Sequence, residues 1–150
     1  MPYLQLDVPA RYPVAVKREL ARRMGALYAE IMETSASLVD VCFRELGEGN
    51  LWQCGEEPVP AAVLSCHIRR GRPPTQRERL AAALVAAITE ALQWDPTVLT
   101  VEFVQHAGDE LYKTVRVDGV LHGGLGRDWS QAEASAPLIE TMTAELRTRA

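Results

Sequence analysis

The sequence lacks any apolar run of the roughly 20 residues needed to span a bilayer. Its first residues also lack the basic segment followed by an apolar stretch that marks a secretory signal. We therefore expect no membrane partner and a cytoplasmic protein.

An excess of positive charge is missing as well. Sixteen Lys and Arg residues stand against twenty Asp and Glu residues, so the formal net charge is −4. Binding to nucleic acid over a broad surface needs the opposite sign, and we expect no nucleic-acid partner. The length of 150 residues, of which 47% are hydrophobic, predicts one globular domain with a substantial core.

Cysteine is scarce, and no CxxC or HxxxH spacing occurs. Cys42, Cys54 and Cys66 are odd in number, which argues against a disulfide framework, and the missing spacings argue against a zinc site. We predict three buried free thiols, no metal and no cofactor.

The sequence does contain an internal repeat of sixty residues, in which residues 2–46 overlay residues 62–106. The identical pairs under this shift include Pro13/Pro73, Leu20/Leu80, Ala21/Ala81, Glu30/Glu90 and Phe43/Phe103. We predict a single domain made of unit one at about 2–60, unit two at about 61–120 and a C-terminal extension at about 121–150.

Each unit begins with a short apolar strand, at 3–8 and at 63–68. An amphipathic helix follows, and then a strand in which apolar residues alternate. Thr75 and Glu78 have the spacing of a capping box, which marks the start of the second helix. A strand-helix-strand crossover makes its two strands parallel. Two such units predict an α/β (α+β) fold, with one four-stranded sheet and helices on one face.

The other face of this sheet needs a cover that 150 residues with two main helices do not supply. We expect neighbouring copies of the chain to cover it, which predicts an oligomer. In the extension, Leu138, Met142 and Leu146 recur at four-residue steps, which is typical of a helix. We expect the extension to pack across a subunit interface or over a site.

Pro2 is a candidate catalytic residue, because removal of the initiator Met would leave it with a free secondary amine. The amine opens a mostly apolar strand. Burial and nearby cations disfavour its protonated form, so it could act as a base near neutral pH, whereas a polar setting would keep it as an acid.

Arginines cluster at the end of the strand that opens the second unit. Arg69 and Arg72 could converge across the turn made by Gly71, and two guanidinium groups at one place suit a carboxylate. A solvated Arg-rich turn is the alternative interpretation. Between the two units, residues 47–55 form a Gly-flanked, hairpin-like segment whose Trp52 could cap a pocket or fill the core.

Taken together, Pro2, the duplicated β-α-β units, the Arg-x-Gly-Arg turn and the Gly-Asn-Leu-Trp-x-x-Gly segment resemble the tautomerase superfamily over about residues 2–125. Within it, the chain is most similar to the cis-3-chloroacrylic acid dehalogenase group. The resemblance implies a homotrimer of β-α-β chains. It also implies that Pro2 is catalytic, that Arg69 and Arg72 hold a substrate carboxylate, and that Trp52 lies against the substrate.

The chain departs from this group at three positions. Where the dehalogenases carry a helix His, it has Ala29 beside Tyr28, and where they carry a Tyr on the fourth strand, it has Glu102. Lys113 occupies the place of the Glu that activates water, and Glu110 lies three residues away. Lys113 is therefore either a cation near Pro2 or a solvated loop residue.

The sequence therefore predicts a cofactor-free enzyme that tautomerises a small 2-oxo or enol carboxylate, with Trp52 and Phe103 as apolar walls. A first alternative is hydration, dehalogenation or decarboxylation of a three-carbon unsaturated acid, in which Glu110 or Glu102 activates water. A second alternative is a non-catalytic trimeric binding protein on the same scaffold.

Overall fold

The structure is a computed structural model that describes residues 2–130. It contains the two predicted β-α-β units. The first is made of β1 (Tyr3–Val8), α1 (Val14–Met32) and β2 (Asp40–Glu45). Two short strands, β3 (Trp52–Gln53) and β4 (Val59–Pro60), pair between the units. The second unit is made of β5 (Ala62–Arg69), α2 (Pro74–Leu92) and β6 (Leu99–His106).

The four long strands form one sheet in the order β2-β1-β5-β6. Each unit contributes a parallel pair, and β1 and β5 lie side by side in antiparallel orientation at the centre. The α+β class, the four-stranded sheet and the parallel pairing within each unit are thus confirmed. No helix in residues 2–130 is long and apolar enough to cross a membrane.

Alternation along the strands separates the sheet into two faces. On β1, Leu4, Leu6 and Val8 are fully buried and belong to one core cluster with residues of both helices. The helices pack on each other above this face, and Arg23 of α1 forms an ion pair with Glu90 of α2 at 2.8 Å. We call the core side of the sheet the helix face, and the other side the open face.

The open face carries a polar array. Asp7 forms a two-pronged ion pair with Arg44, at 2.6 and 2.9 Å. The imidazoles of His67 and His106 lie parallel, with a nitrogen-to-nitrogen distance of 3.2 Å. Within residues 2–130 no helix covers this face, which is the arrangement that the sequence predicted.

After the sheet, the chain forms a hairpin of β7 (Tyr112–Val117) and β8 (Val120–Leu125), which was not predicted from the sequence. Residues 126–129 then return to the sheet. The hydrogen bond from the Trp129 amide to the Arg70 carbonyl, at 2.9 Å, holds them against the turn after β5. The predicted helix with Leu138, Met142 and Leu146 lies outside the described residues.

Two expectations are wrong. The capping box is absent because α2 begins at Pro74 with Pro73 as its N-cap, which puts Thr75 inside the first turn, and no side chain caps this end. The thiols are free as expected, but only Cys66 is buried, whereas Cys42 is half-buried and Cys54 is exposed in the segment between the units.

Candidate active site

The start of β1 and the end of β5 meet at one end of the sheet. Tyr3 lies opposite His67, so Pro2 lies beside Ile68 and one position before Arg69. The Pro2 carbonyl accepts a hydrogen bond from the Asp40 amide at 3.0 Å, which ties Pro2 into the sheet. By alternation from Leu4, Pro2 belongs to the helix face, and it is half-buried.

Arg72 is the most deeply buried charged side chain in this region, with 6% of its surface exposed. Its Nε and Nη2 atoms both donate to the Met32 carbonyl, at 3.2 and 3.0 Å. Met32 is the last residue of α1, so the guanidinium satisfies a carbonyl that the helix leaves without an internal partner. Arg72 thereby joins the end of the first helix to the start of the second.

Two aromatic rings flank this guanidinium. The Tyr28 ring centre lies 5.9 Å from the Arg72 carbon Cζ, and the Trp129 ring centre lies 5.0 Å from it. Both distances fall within the range of cation–π attraction. Arg72 is therefore held between α1 and the returning segment 126–129.

Arg69 is half-buried, and by alternation from Ile68 it belongs to the open face, but its charge also acts on Tyr28 and Arg72. Burial raises the pKa of Tyr28 to about 12, and the positive charges of Arg72 and Arg69 act in the opposite direction by lowering it. Burial also lowers the pKa of Arg72, and the charge of Arg69 acts in the same direction. We call Tyr28, Arg69, Arg72 and Trp129 the arginine cluster.

The turn between Arg69 and Arg72 depends on Gly71. Its φ of +124° lies in a region that residues with a side chain rarely adopt. A Cβ atom at Gly71 would also lie 2.3 Å from the Trp129 carbonyl oxygen. Both the turn and the packing of Trp129 therefore require glycine here.

Of the other predicted site residues, Phe103 lies on the helix face. It packs against the core, and the Arg77 guanidinium lies 5.9 Å from its ring centre. Glu102, its neighbour on β6, points to the open face and accepts a hydrogen bond from the Ser65 hydroxyl. Within one chain, Glu102 is therefore on the opposite side of the sheet from Tyr28.

Trp52 and Lys113 lie in the two accessory hairpins. Trp52 is 48% exposed, and its indole donates to the Gly49 carbonyl at 2.7 Å. Lys113 is half-buried in β7 opposite Gly124. Glu110 accepts a hydrogen bond from the Ala107 amide at 3.0 Å. That Trp52 and Lys113 contact the substrate remains a prediction.

Trp129 is the residue of this cluster that was not predicted from the sequence. A single large aromatic residue in an otherwise polar stretch was the available signal, because such a ring tends to be buried. The contact of Arg72 with the Met32 carbonyl had no signal in the sequence, since every residue carries that group.

An open cleft of about 250 Å³ lies between the end of α1 and the start of α2, lined by Glu30, Ile31, Glu33, Thr75, Gln76 and Arg79. It contains none of the arginine cluster, and its charges are of both signs. In residues 2–130, no group of three His, Cys, Asp or Glu side chains is placed to hold a metal ion.

Comparison with known proteins relates this architecture to solved structures, although no family model and no curated protein matches the sequence. The structure is similar to N1, a member of the cis-3-chloroacrylic acid dehalogenase family, with a TM-score of 0.70 and 20% identity over 97% of this chain and 99% of that one. It is also similar to Pt0534 inactivated by 2-oxo-3-pentynoate, with a TM-score of 0.66 and 20% identity over 73% and 89% of the two chains.

A third similar structure is an asymmetric trimer of a wild-type fused 4-OT, with a TM-score of 0.64 and 20% identity over 71% of this chain and 87% of that one. These similarities cover between 71% and 97% of the chain. We conclude that the chain has the fold of the tautomerase superfamily and resembles the cis-3-chloroacrylic acid dehalogenase family.

Proposed function

We propose that this chain is a cofactor-free enzyme that moves a proton to or from carbon in a small carboxylate with an adjacent carbonyl or enol. The observation that supports this proposal best is the buried Arg72 guanidinium at the end of the sheet where Pro2 lies. No carboxylate among residues 2–130 forms an ion pair with Arg72. A substrate carboxylate would supply the missing negative charge.

In this proposal, the Pro2 amine is the base. Its lone pair takes a proton from the carbon beside the carbonyl, the C–H electrons form a new C=C bond, and negative charge develops on the carbonyl oxygen. The resulting ammonium then returns its proton to the product. Arg69 and Arg72 favour this cycle because nearby positive charges disfavour the protonated amine and stabilise the enolate.

Tyr28 would act as a neutral donor. Because burial raises its pKa to about 12, the phenol keeps its proton at neutral pH and can donate a hydrogen bond to the developing oxyanion. The substrate class draws further support from the similar structure Pt0534, whose inactivator, 2-oxo-3-pentynoate, is a 2-oxo acid. Tautomerisation of a 2-oxo acid therefore remains our primary assignment.

Hydration or dehalogenation is the second candidate, favoured by the nearly complete overlap with N1. That reaction needs a carboxylate to activate water. Glu102 lies on the open face and bonds to Ser65, and Glu110 bonds to the Ala107 amide. Within one chain, Glu102 is on the opposite side of the sheet from Tyr28, and Glu110 lies in the turn after β6, 3.8 Å from His106, so this candidate depends on a contribution from a neighbouring copy.

We also propose that the chain assembles as a homotrimer. The described residues leave the open face of the sheet uncovered, and the similar fused 4-OT is a trimer. Copies packed around this face would shield Val63 and Val104, two half-buried apolar residues among polar neighbours.

The test begins with the N-terminus. Intact-mass measurement should show that the initiator Met is absent and that the amine is unmodified. Pro2→Ala should then lower kcat/KM for ketonisation of phenylenolpyruvate by about 100-fold or more, because general-base catalysis contributes about 10² to 10⁴. Pro9→Ala, at the far end of β1, is the matched control and should retain activity.

A retained Met, a blocked amine or an unchanged rate in Pro2→Ala would refute Pro2 as the proton carrier. The carboxylate clamp has a separate test, in which Arg72→Met should raise KM strongly. An unchanged KM in that variant would refute the assignment of Arg72.

A further inference from the structure

Trp129 carries a buried hydrogen-bond donor without an acceptor. Its side chain is 8% exposed, and its indole Nε1 finds no hydrogen-bond partner in the structure of residues 2–130. An unsatisfied buried N–H is costly, and most native proteins avoid it. Trp94 shows the usual arrangement in this chain, since its indole donates to the Tyr12 hydroxyl at 3.2 Å.

This unpaired donor lies next to an unpaired charge. The Trp129 ring centre is 5.0 Å from Cζ of Arg72. Arg72 uses Nε and Nη2 for the Met32 carbonyl, and its Nη1 has no bond to any residue in 2–130. A carboxylate has two oxygens with several acceptor positions, so one group can accept from both a guanidinium and an indole.

The position of Trp129 is fixed by the segment that carries it. Asp128 accepts hydrogen bonds from the Gly108 amide at 2.8 Å and from Nε of Arg70 at 2.6 Å. These two contacts hold the pKa of Asp128 below its usual value, so the carboxylate is charged at neutral pH. The Trp129 amide is bonded to the Arg70 carbonyl, and the glycine at 71 leaves room for the Trp129 backbone.

We propose that the indole N–H of Trp129 is a second donor to the anion that Arg72 binds, and that Trp129 thereby selects substrates with a carboxylate at this position. This inference rests on the proposed function and adds a residue to its binding site. Asp128 is a positioning residue in this proposal, because it acts only by holding Trp129.

Trp129→Phe tests the proposal because it keeps an aromatic ring over Arg72 and removes the N–H. Calorimetric titration with pyruvate should show a dissociation constant about ten- to a hundredfold weaker than that of the unchanged protein, the effect of losing a hydrogen bond to a charged group. With phenylenolpyruvate, KM should rise in proportion while kcat changes little. The neutral analogue pyruvamide should not respond to the substitution.

The stability of the unliganded protein provides a second measurement, because Trp129→Phe should weaken ligand binding without lowering the melting temperature. Removing an unsatisfied buried donor should leave the melting temperature of Trp129→Phe unchanged or higher. The matched control, Trp94→Phe, loses a formed hydrogen bond, so it should melt lower and bind pyruvate normally. A tryptophan with a purely structural role would give neither the affinity loss nor this contrast.

Three results separate the possible failures. If Arg72→Met weakens pyruvate binding and Trp129→Phe does not, the Trp129 donor is refuted and the proposed function stands. If neither variant changes the affinity, or if the unchanged protein binds no pyruvate, the carboxylate site itself is refuted. If Trp129→Phe weakens the binding of pyruvate and of pyruvamide equally, Trp129 only fills space and does not distinguish a carboxylate from a neutral group.

Discussion

Arg72 shows how a small fold can bury a cation. The guanidinium donates twice to the last carbonyl of α1, where the helix dipole places partial negative charge, and two aromatic rings flank it. These neutral partners offset part of its desolvation without neutralising the charge. An arginine held in this way keeps its full charge available to an anion.

Tyr28 gives a prediction at the residue scale. Burial raises its pKa in the folded protein to about 12 from 10.0. The unfolded chain therefore loses the phenol proton first, so stability is complete below pH 10 and falls as pH rises toward 12, by at most about 3 kcal/mol. Tyr28→Phe should remove this component, which urea unfolding at pH 8 and pH 11 would measure.

The exposed Tyr112 provides the control for this measurement, since its side chain is 68% exposed. Tyr112→Phe should lose as much stability between the two pH values as the unchanged protein does. An equal loss in Tyr28→Phe would show that the phenol of Tyr28 does not ionise with unfolding.

At the scale of elements, the start of α2 is set by two prolines and not by a capping side chain. Pro73 is the N-cap and Pro74 is the first helical residue, where the missing N–H costs nothing. Thr75→Ala should therefore change the free energy of unfolding by less than about 0.5 kcal/mol, as expected for a surface change.

Asp95 is the comparison for Thr75. Its carboxylate accepts from the amide and the hydroxyl of Thr97, at 2.8 and 2.6 Å, so Asp95→Ala should cost about 1 kcal/mol. Chemical denaturation of both variants measures the difference. A loss of about 1 kcal/mol in Thr75→Ala would instead show that Thr75 caps α2, as the sequence suggested.

Gly108 gives a prediction for the returning segment 126–129. A Cβ atom at Gly108 would lie 1.7 Å from the backbone carbonyl carbon of Arg127, so the segment must move in Gly108→Ala. Overpacking of this kind costs about 1 to 3 kcal/mol. We expect a lower melting temperature and a red shift of tryptophan emission as Trp129 becomes solvated.

Gly55→Ala is the control for that experiment, because the nearest atom to its Cβ would be at an ordinary 3.8 Å. It should leave both readouts unchanged. Normal emission and stability in Gly108→Ala would mean that residues 126–129 do not pack against Gly108 as the structure has them.

At the scale of the whole molecule, the open face is the part of the sheet that residues 2–130 leave uncovered. Val104 lies on this face beside His67. If copies cover the face, Val104→Lys buries a charge between them and should shift the assembly from trimer to monomer, measured by sedimentation. Val14→Lys, on the 65% exposed start of α1, should leave the trimer intact.

The sequence by itself determined the two units, the parallel pairing within each and the apolar face of every long strand. These features follow from local periodicity, which a strand or helix expresses wherever it lies. The same alternation already places Glu102 and Phe103 on opposite faces of β6, so the expectation that both line one site conflicts with it within a single chain.

Only the tertiary structure decided what surrounds Arg72. The Met32 carbonyl comes from the end of the first unit and Trp129 comes from beyond the second, so no local pattern relates them. The hairpin of β7 and β8 returns the chain, and Gly71 and Gly108 leave room for it. Contacts between distant segments depend on how the elements pack together, and for that reason the repeat predicts the scaffold but not the residues that complete the site.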